Sequence, residues 1–488
     1  MRRSVSLLLT LCLLLALPLA AHAHIGSKDV FEQVNAGPYR LFVTVRPPMV
    51  IPGVATVEVR TSGPAVQRLR ITPVPMVGEA SKHPPTPDAT ERSAADPAFF
   101  TGSLWLMATG SWKVVLNVDG AAGPATAAVP VPAVALQVLR MDRPLGLLLG
   151  ALAVLLVLGI VGIVAAASRE SRLEPGVAPS PERSRRALVV GAATLAVVLL
   201  AVWLGGRWWN VEAADYAYGV YKPLTLTPTL AGNTLRLQLG TYTNVLSTRR
   251  NRTNTDLLPD HGHLMHLYAI REPEMDAVYH LHPAQTAPGE LQTALPQLPA
   301  GRYRLFGDIV HRSGLPETLT ATLDIPAGFH GVPLDSEDAA AAPAPLNAGN
   351  LGSTDTLPDG YRMVWDKPAT LAANQPVVFR FTLQNAQGQP ATDVQPYLGM
   401  AGHAAFVRTD FSTFAHTHPE GSAPMQSMEV ANSSAPLEAM TMAADTGKPL
   451  PATVEFPYGF PSAGRYRIFV QMKHGATVET GTFDAEVK

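Results

Sequence analysis

The sequence predicts a mainly β protein: three extracytoplasmic immunoglobulin-like β-sandwich domains plus two transmembrane helices. Three observations predict it. Short alternating runs such as Tyr39-Arg-Leu-Phe-Val-Thr-Val45 and Val377-Val-Phe-Arg-Phe-Thr-Leu383 are separated by turn-forming residues, with 44 prolines and 39 glycines in the chain, which is the pattern of strands and turns. Two uninterrupted apolar runs, Leu145–Ala167 and Ala187–Leu204, match the length of a bilayer-spanning helix. A block near residue 260 is written a second time near residue 400, so the chain contains an internal repeat.

At 488 residues the chain is long enough for about three ordinary domains. Its 37 basic and 39 acidic residues balance, and no basic stripe studded with aromatics points to nucleic acid. Arg2 and Arg3, the apolar run Leu7–Ala20 and the small-residue end Ala21-His-Ala23 have the form of a secretory signal peptide, residues 1–23. The single cysteine, Cys12, lies inside it, so the mature chain has no thiol for a disulfide or a metal site. Cleavage after Ala23 exposes His24, and cleavage after Ala21 exposes His22. An N-terminal histidine offers an amine and a ring nitrogen as a chelating pair, which makes His24 a candidate metal ligand.

Residues 24–138 read as the first β-sandwich, with a polar, proline-rich loop from Ser81 to Pro97 in which His83 is solvated. The helices follow, at 144–167 and 187–205. The connector 168–186 carries Arg169, Arg172, Arg183, Arg185 and Arg186, and Trp203, Trp208 and Trp209 follow the second span. Arginine bias and aromatic belt agree on a cytoplasmic loop with both soluble portions outside. Gly146 and Gly150 form a small-xxx-small pair expected to pack the spans together. Neither span contains an ionisable residue, which argues against an ion path through them. A first histidine-bearing repeat, 218–327, and a second, 354–488, are divided by an Ala/Pro/Gly-rich linker, 328–353.

The repeats carry the chemistry. His261-Gly-His-Leu-Met-His266 with Tyr279-His-Leu-His-Pro283 corresponds to Gly399-Met-Ala-Gly-His403 with Phe414-Ala-His-Thr-His-Pro419. Ala300-Gly-Arg-Tyr-Arg-Leu-Phe306 with His311 corresponds to Ala463-Gly-Arg-Tyr-Arg-Ile-Phe469 with His474. Four histidines per copy have thus outlasted the drift of their neighbours. A His-X-His step on a strand puts both rings on one face about 6.6 Å apart, and imidazole binds Zn, Cu, Ni and Fe. The expectation is two quartets, His266, His280, His282 and His311 in one repeat and His403, His416, His418 and His474 in the other. The bland alternative is a His-X-His-Pro strand end whose histidines bond to loop carbonyls. An insertion in the second copy brings Met425, Met428, Met440 and Met442, soft thioethers that favour Cu(I).

Pro396-Tyr-Leu-Gly-Met-Ala-Gly-His403 with the His-Thr-His-Pro segment resembles secreted bacterial β-sandwich domains found beside copper and heavy-metal resistance functions. The Ala-Gly-Arg-Tyr-Arg strand is similar to the late strand of the CopC- and YtkA-like immunoglobulin-type folds. The first copy departs from that pattern with His261-Gly-His263 in place of the Tyr-Leu-Gly run. Export, the absence of thiols, the duplicated histidines, the methionine insertion and the external display of the repeats lead to the first expectation: a protein anchored in the inner membrane, with periplasmic domains that buffer a metal ion, copper first and zinc as the alternative, or pass it to a trafficking partner without catalysis. Two other readings stand beside it. One is a cupin-like metalloenzyme, disfavoured because no carboxylate falls four or five residues after either His-X-His step. The other is an exported adhesion or assembly module without metal.

Overall fold

The computed structural model describes residues 28–174, 176–243, 252–346, 349, 351–433 and 450–488. The leader 1–23, His24, Met440 and Met442 lie outside the described residues. The chain divides into two compact units. One comprises Ala135–Tyr221, and the other comprises the preceding residues together with Lys222–Lys488.

The smaller unit is two long helices, α1 (Arg143–Glu170) and α2 (Pro181–Tyr218). Both are long and apolar enough to cross a membrane. At about 1.5 Å per residue their lengths exceed the roughly 30 Å hydrocarbon thickness. Leu147, Leu155, Ile163, Val189 and Val197 point outward and stay exposed, as lipid-facing residues would. The helices meet elsewhere than the glycine pair predicts. Gly150 has open space where a side chain would stand, whereas Gly191 faces Ala165 and Val161, and Ala187 and Gly191 are the buried residues of α2. The seam is still small-xxx-small, supplied one turn apart by α2.

The larger unit is mainly β. Its N-terminal portion stacks a five-stranded and a four-stranded antiparallel sheet. Each repeat is again two sheets. The first has a four-stranded sheet and a six-stranded one in which Gly301–His311 is flanked by His266–Glu272 and Pro316–Ile325. The second repeats that order with Gly464–His474 between His403–Arg408 and Thr477–Val487. The registers correspond as well: His266 lies opposite Asp308 and His403 opposite Gln471.

Alternation along these strands gives each main sheet two buried faces. In the first repeat Leu267, Ala269, Tyr303 and Leu305 pack into that repeat's own core, while Tyr268, Ile270, Val278 and Phe306 face the other way. In the second, Phe406, Ile468 and Val470 face inward, and Ala405, Val407, Phe414 and Phe469 face the first repeat. The outward faces form a third apolar core between the repeats, in which Phe306 and Phe414 stack at 4.2 Å between ring centres. A strand buried on both faces carries apolar residues at nearly every position, as Ala404 to Val407 and Ile468 to Val470 do, rather than alternating them with polar ones.

The 328–353 segment is more than a tether. Ala339–Ala341 adds a strand beside Val278–Leu281. Arg467, buried in the second repeat and ion-paired to Asp484, donates to the backbone oxygens of Met275 and Ala344. A buried guanidinium with all these partners ties the segment and both repeats together.

Candidate metal centre

Each repeat opens its main sheet with the same tight turn. Asp260 and His263 exchange both backbone hydrogen bonds, as do Tyr397 and Met400. The central residues have positive φ: 51° at His261 and 86° at Gly262, 50° at Leu398 and 79° at Gly399. Glycine suits the second position of such a turn. The turn delivers His266 or His403 to the start of the next strand, on the face turned toward the other repeat. The neighbouring strand brings His280 or His416 to that same face, and His282 or His418 follows just past the strand end.

Eight of the chain's 14 histidines therefore meet in one chamber between the repeats: His261, His263, His266, His280, His282, His403, His416 and His418. Two groups hold their ring nitrogens within 4.8 Å of one another: His266 with His280 and His282, and His261 with His403 and His418. The second group draws on both repeats.

In the first triad the outer partners fix which nitrogen carries hydrogen. Tyr268 donates to Gln471 Oε1, and Tyr397 donates to the Glu337 carbonyl. His280 Nδ1, 2.8 Å from that Gln471 oxygen and 3.3 Å from the Tyr397 hydroxyl oxygen, is thus the donor. His266 Nε2 donates to the Asp260 carbonyl at 3.1 Å. The remaining nitrogens, His266 Nδ1 and His280 Nε2, face each other bare at 3.1 Å. Two lone pairs repel at that distance unless a cation lies between them. Ligands about 2.0 Å from one ion and 3.1 Å apart subtend about 100°, close to tetrahedral. His282 completes the group. Its Nδ1 is held by Asp338 Oδ1 at 2.9 Å, and its Nε2 is buried without a hydrogen-bond partner. A carboxylate behind a histidine is the usual outer support of a metal ligand.

The second triad is barer still. No ring nitrogen of His261, His403 or His418 has a partner in good hydrogen-bond geometry, the backbone at Leu398 and at Ala423 only approaching His261 and His418, and the nearest acidic group is Asp260 Oδ2, 3.9 Å from His261. Each unpaired buried polar atom costs on the order of 1–3 kcal/mol, so this group of poorly satisfied rings, His403 above all, calls for a ligand to explain it. His416 stands between the triads, with Nδ1 3.3 Å from Asp308 Oδ2 and a buried Nε2 lacking a hydrogen bond. His263, half-buried, covers His282 at 4.3 Å and pairs with Glu337, forming the wall nearest solvent.

Burial, and then the neighbouring rings, push His266, His280, His403 and His418 well below the ordinary histidine pKa. His261 and His263 are lowered mainly by burial. Neutral imidazole is the form that binds a metal.

His311 and His474 do not join this chamber, contrary to the quartet expectation. They share strand parity with Tyr303 and Leu305, and with Tyr466 and Ile468, so they lie on the face turned to each repeat's own core, opposite the chamber. Each holds carboxylates instead. His311 bonds Asp256 at 2.9 Å and Glu317 at 2.8 Å. His474 lies 2.7 Å from Asp359 and 3.5 Å from Asp393. Repetition of the fourth histidine thus has a structural cause. His261 and His263 take their place in the chamber, and the difference between the two copies at this turn, His261-Gly-His263 against Leu398-Gly-Met400, was the signal for them. Met425 and Met428 fall on α3 (Met425–Asn432), which docks on the N-terminal sandwich through Asn432 and Ala128.

The sequence profile of a domain of unknown function (DUF8832) matches residues 226–327 and 355–488, the two repeats. No curated protein matches. Among solved structures, the tetra-tandem repeat in the extending region of a large adhesion protein is similar at 9% identity and a TM-score of 0.17, covering 90% of this chain and 71% of that one. A bacterial ice-binding adhesin aligns at 8% identity and 0.15, covering 93% and 99%. The ICAM-5 D1–D4 ectodomain fragment aligns at 9% and 0.16, covering 93% and 77%.

Proposed function

We propose that the chain is a membrane-anchored, extracytoplasmic metal-binding protein whose two repeats clamp ions between them. Copper is the first candidate and zinc the second. One observation carries this reading: two groups of buried imidazoles converge with their free nitrogens bare while their far nitrogens, in the first triad, are fixed by Asp338, Gln471 and the Asp260 carbonyl. An all-imidazole donor set suits Cu(II) and Zn(II), and Cu(II) heads the divalent affinity order. The arrangement supports buffering or delivery to a trafficking partner. The carboxylates at the chamber support rings, so the cupin-like reading gains nothing from them.

A second reading, an exported adhesion or assembly module, accords better with the names of the similar structures, which include adhesion proteins. Their TM-scores of 0.15 to 0.17 give those names no weight. Elemental analysis of the full-length, tag-free protein after competition among Cu(II), Zn(II) and Ni(II) separates the two. About two tightly held ions per chain is the expected result. Metal-free protein under all three conditions overturns the proposal and favours the assembly module.

A further inference from the structure

The two triads use six of the eight imidazoles and leave His263, on the wall nearest solvent, and His416. The position of His416 is the informative one. Its ring centre lies 5.4 Å from His266 and 5.3 Å from His280 in the first triad, and 5.4 Å from His403 and 4.7 Å from His418 in the second. In the repeat alignment it corresponds to His280, a member of the first triad, yet it stands equally close to both groups. Asp308 Oδ2 lies 3.3 Å from its Nδ1, and its Nε2 is buried without a hydrogen bond.

Rings of different triads are also direct neighbours. His261 and His266 are 5.8 Å apart, His280 and His403 6.1 Å, and His266 and His403 6.4 Å. Pairs within a triad, such as His266 with His282 at 5.0 Å and His261 with His403 at 5.1 Å, are scarcely closer. Two dications this near in a buried site repel strongly, so negative charge must accompany them. Asp308 beside His416 and Asp260 beside His261 each place a carboxylate at the chamber. A bridging oxygen anion would supply a third negative charge.

We infer that His416 joins the two triads into a single binuclear centre, in which adjacent ions share one small oxygen ligand of the water or hydroxide class. This rests on the metal-binding reading above and adds to it that the two ions are coupled. Each ion takes one triad, and His416 stands at their common border.

The test is electron paramagnetic resonance of the full-length protein titrated with Cu(II), with copper counted independently. The first equivalent should give a mononuclear signal with full spin count. The second should reduce the spin per copper by at least about twofold and produce a half-field transition. His416→Asn should keep its copper but restore one spin per copper. If that variant fails to fold, Asp308→Asn, which releases the ring and also removes one of the chamber's two carboxylates, should weaken the coupling in the same direction. A wild-type protein holding two coppers with full spin count and no half-field transition overturns the inference, as does coupling that survives His416→Asn in folded protein. Failure to bind copper, zinc or nickel at all would instead strike the metal-binding reading itself.

Discussion

His311 offers a test that does not depend on any metal. Burial alone would pull its pKa down. The hydrogen bonds that the ring donates to Asp256 and Glu317, and the charges of those carboxylates, overcome that and push it up to about 9. Against an ordinary histidine value of about 6.5, a rise of about 2.5 is worth about 3 kcal/mol of folding stability. The folded state holds the proton more tightly than the unfolded chain. The contribution is therefore complete below about pH 6.5 and is lost as pH rises through about 9. His311→Gln should remove it and leave Glu317, which also pairs with Arg252 at 3.0 Å, less well neutralised. The assay is chemical denaturation of wild type and variant across this window. The difference between them should be about 2–3 kcal/mol at pH 6 and shrink toward zero by about pH 9.5. Metal content should not change. A pH-independent difference would refute the ion-pair argument, and loss of one bound ion would return His311 to the metal site.

Asp338→Ala should weaken the first site by about 10–100-fold, read as the metal concentration at half-occupancy, while the folded chain persists. His403→Leu should raise the stability of the metal-free protein by about 1–3 kcal/mol for each of the two unpaired buried nitrogens that it removes, and should abolish one bound ion; a destabilised variant that still holds both ions would contradict this. Lowered pKa values keep the second triad, His261, His403 and His418, neutral below the ordinary histidine range, so its metal affinity should stay level from pH 8 to about 6. The metal-free fold should weaken below about pH 6.5, where the unfolded chain takes up protons that the folded chamber refuses; thermal melts at pH 5 and 7 measure this. A reporter fused after Lys488 should be active only where it senses export, as the arginine-rich 168–186 connector implies, and cytoplasmic activity there would exclude the two-span arrangement.

The strands, the two apolar helices and the repeat were legible because each has a local signature: period-two alternation, uninterrupted hydropathy and recurring text. The composite site was not, because its logic is tertiary. Spacing showed that His280 and His282 travel together, but no spacing within one repeat shows that Gln471 of the second fixes His280 of the first, or that Asp308 of the first fixes His416 of the second. Parity along Gly301–His311 did contain a warning. It places His311 with Tyr303 and Leu305, and a tyrosine buried in the repeat's own core means that this face looks away from the neighbouring repeat. Duplication was read as shared function for all four histidines, whereas it recorded two separate constraints. Three histidines per repeat are held in common because the facing repeat supplies their surroundings. The fourth is held because carboxylates surround the same strand end in both copies, Asp256 with Glu317 in the first and Asp359 with Asp393 in the second. Two sheets buried on both faces make such a site possible, since only there can a polar cluster be dry, rigid and built from both copies of one domain.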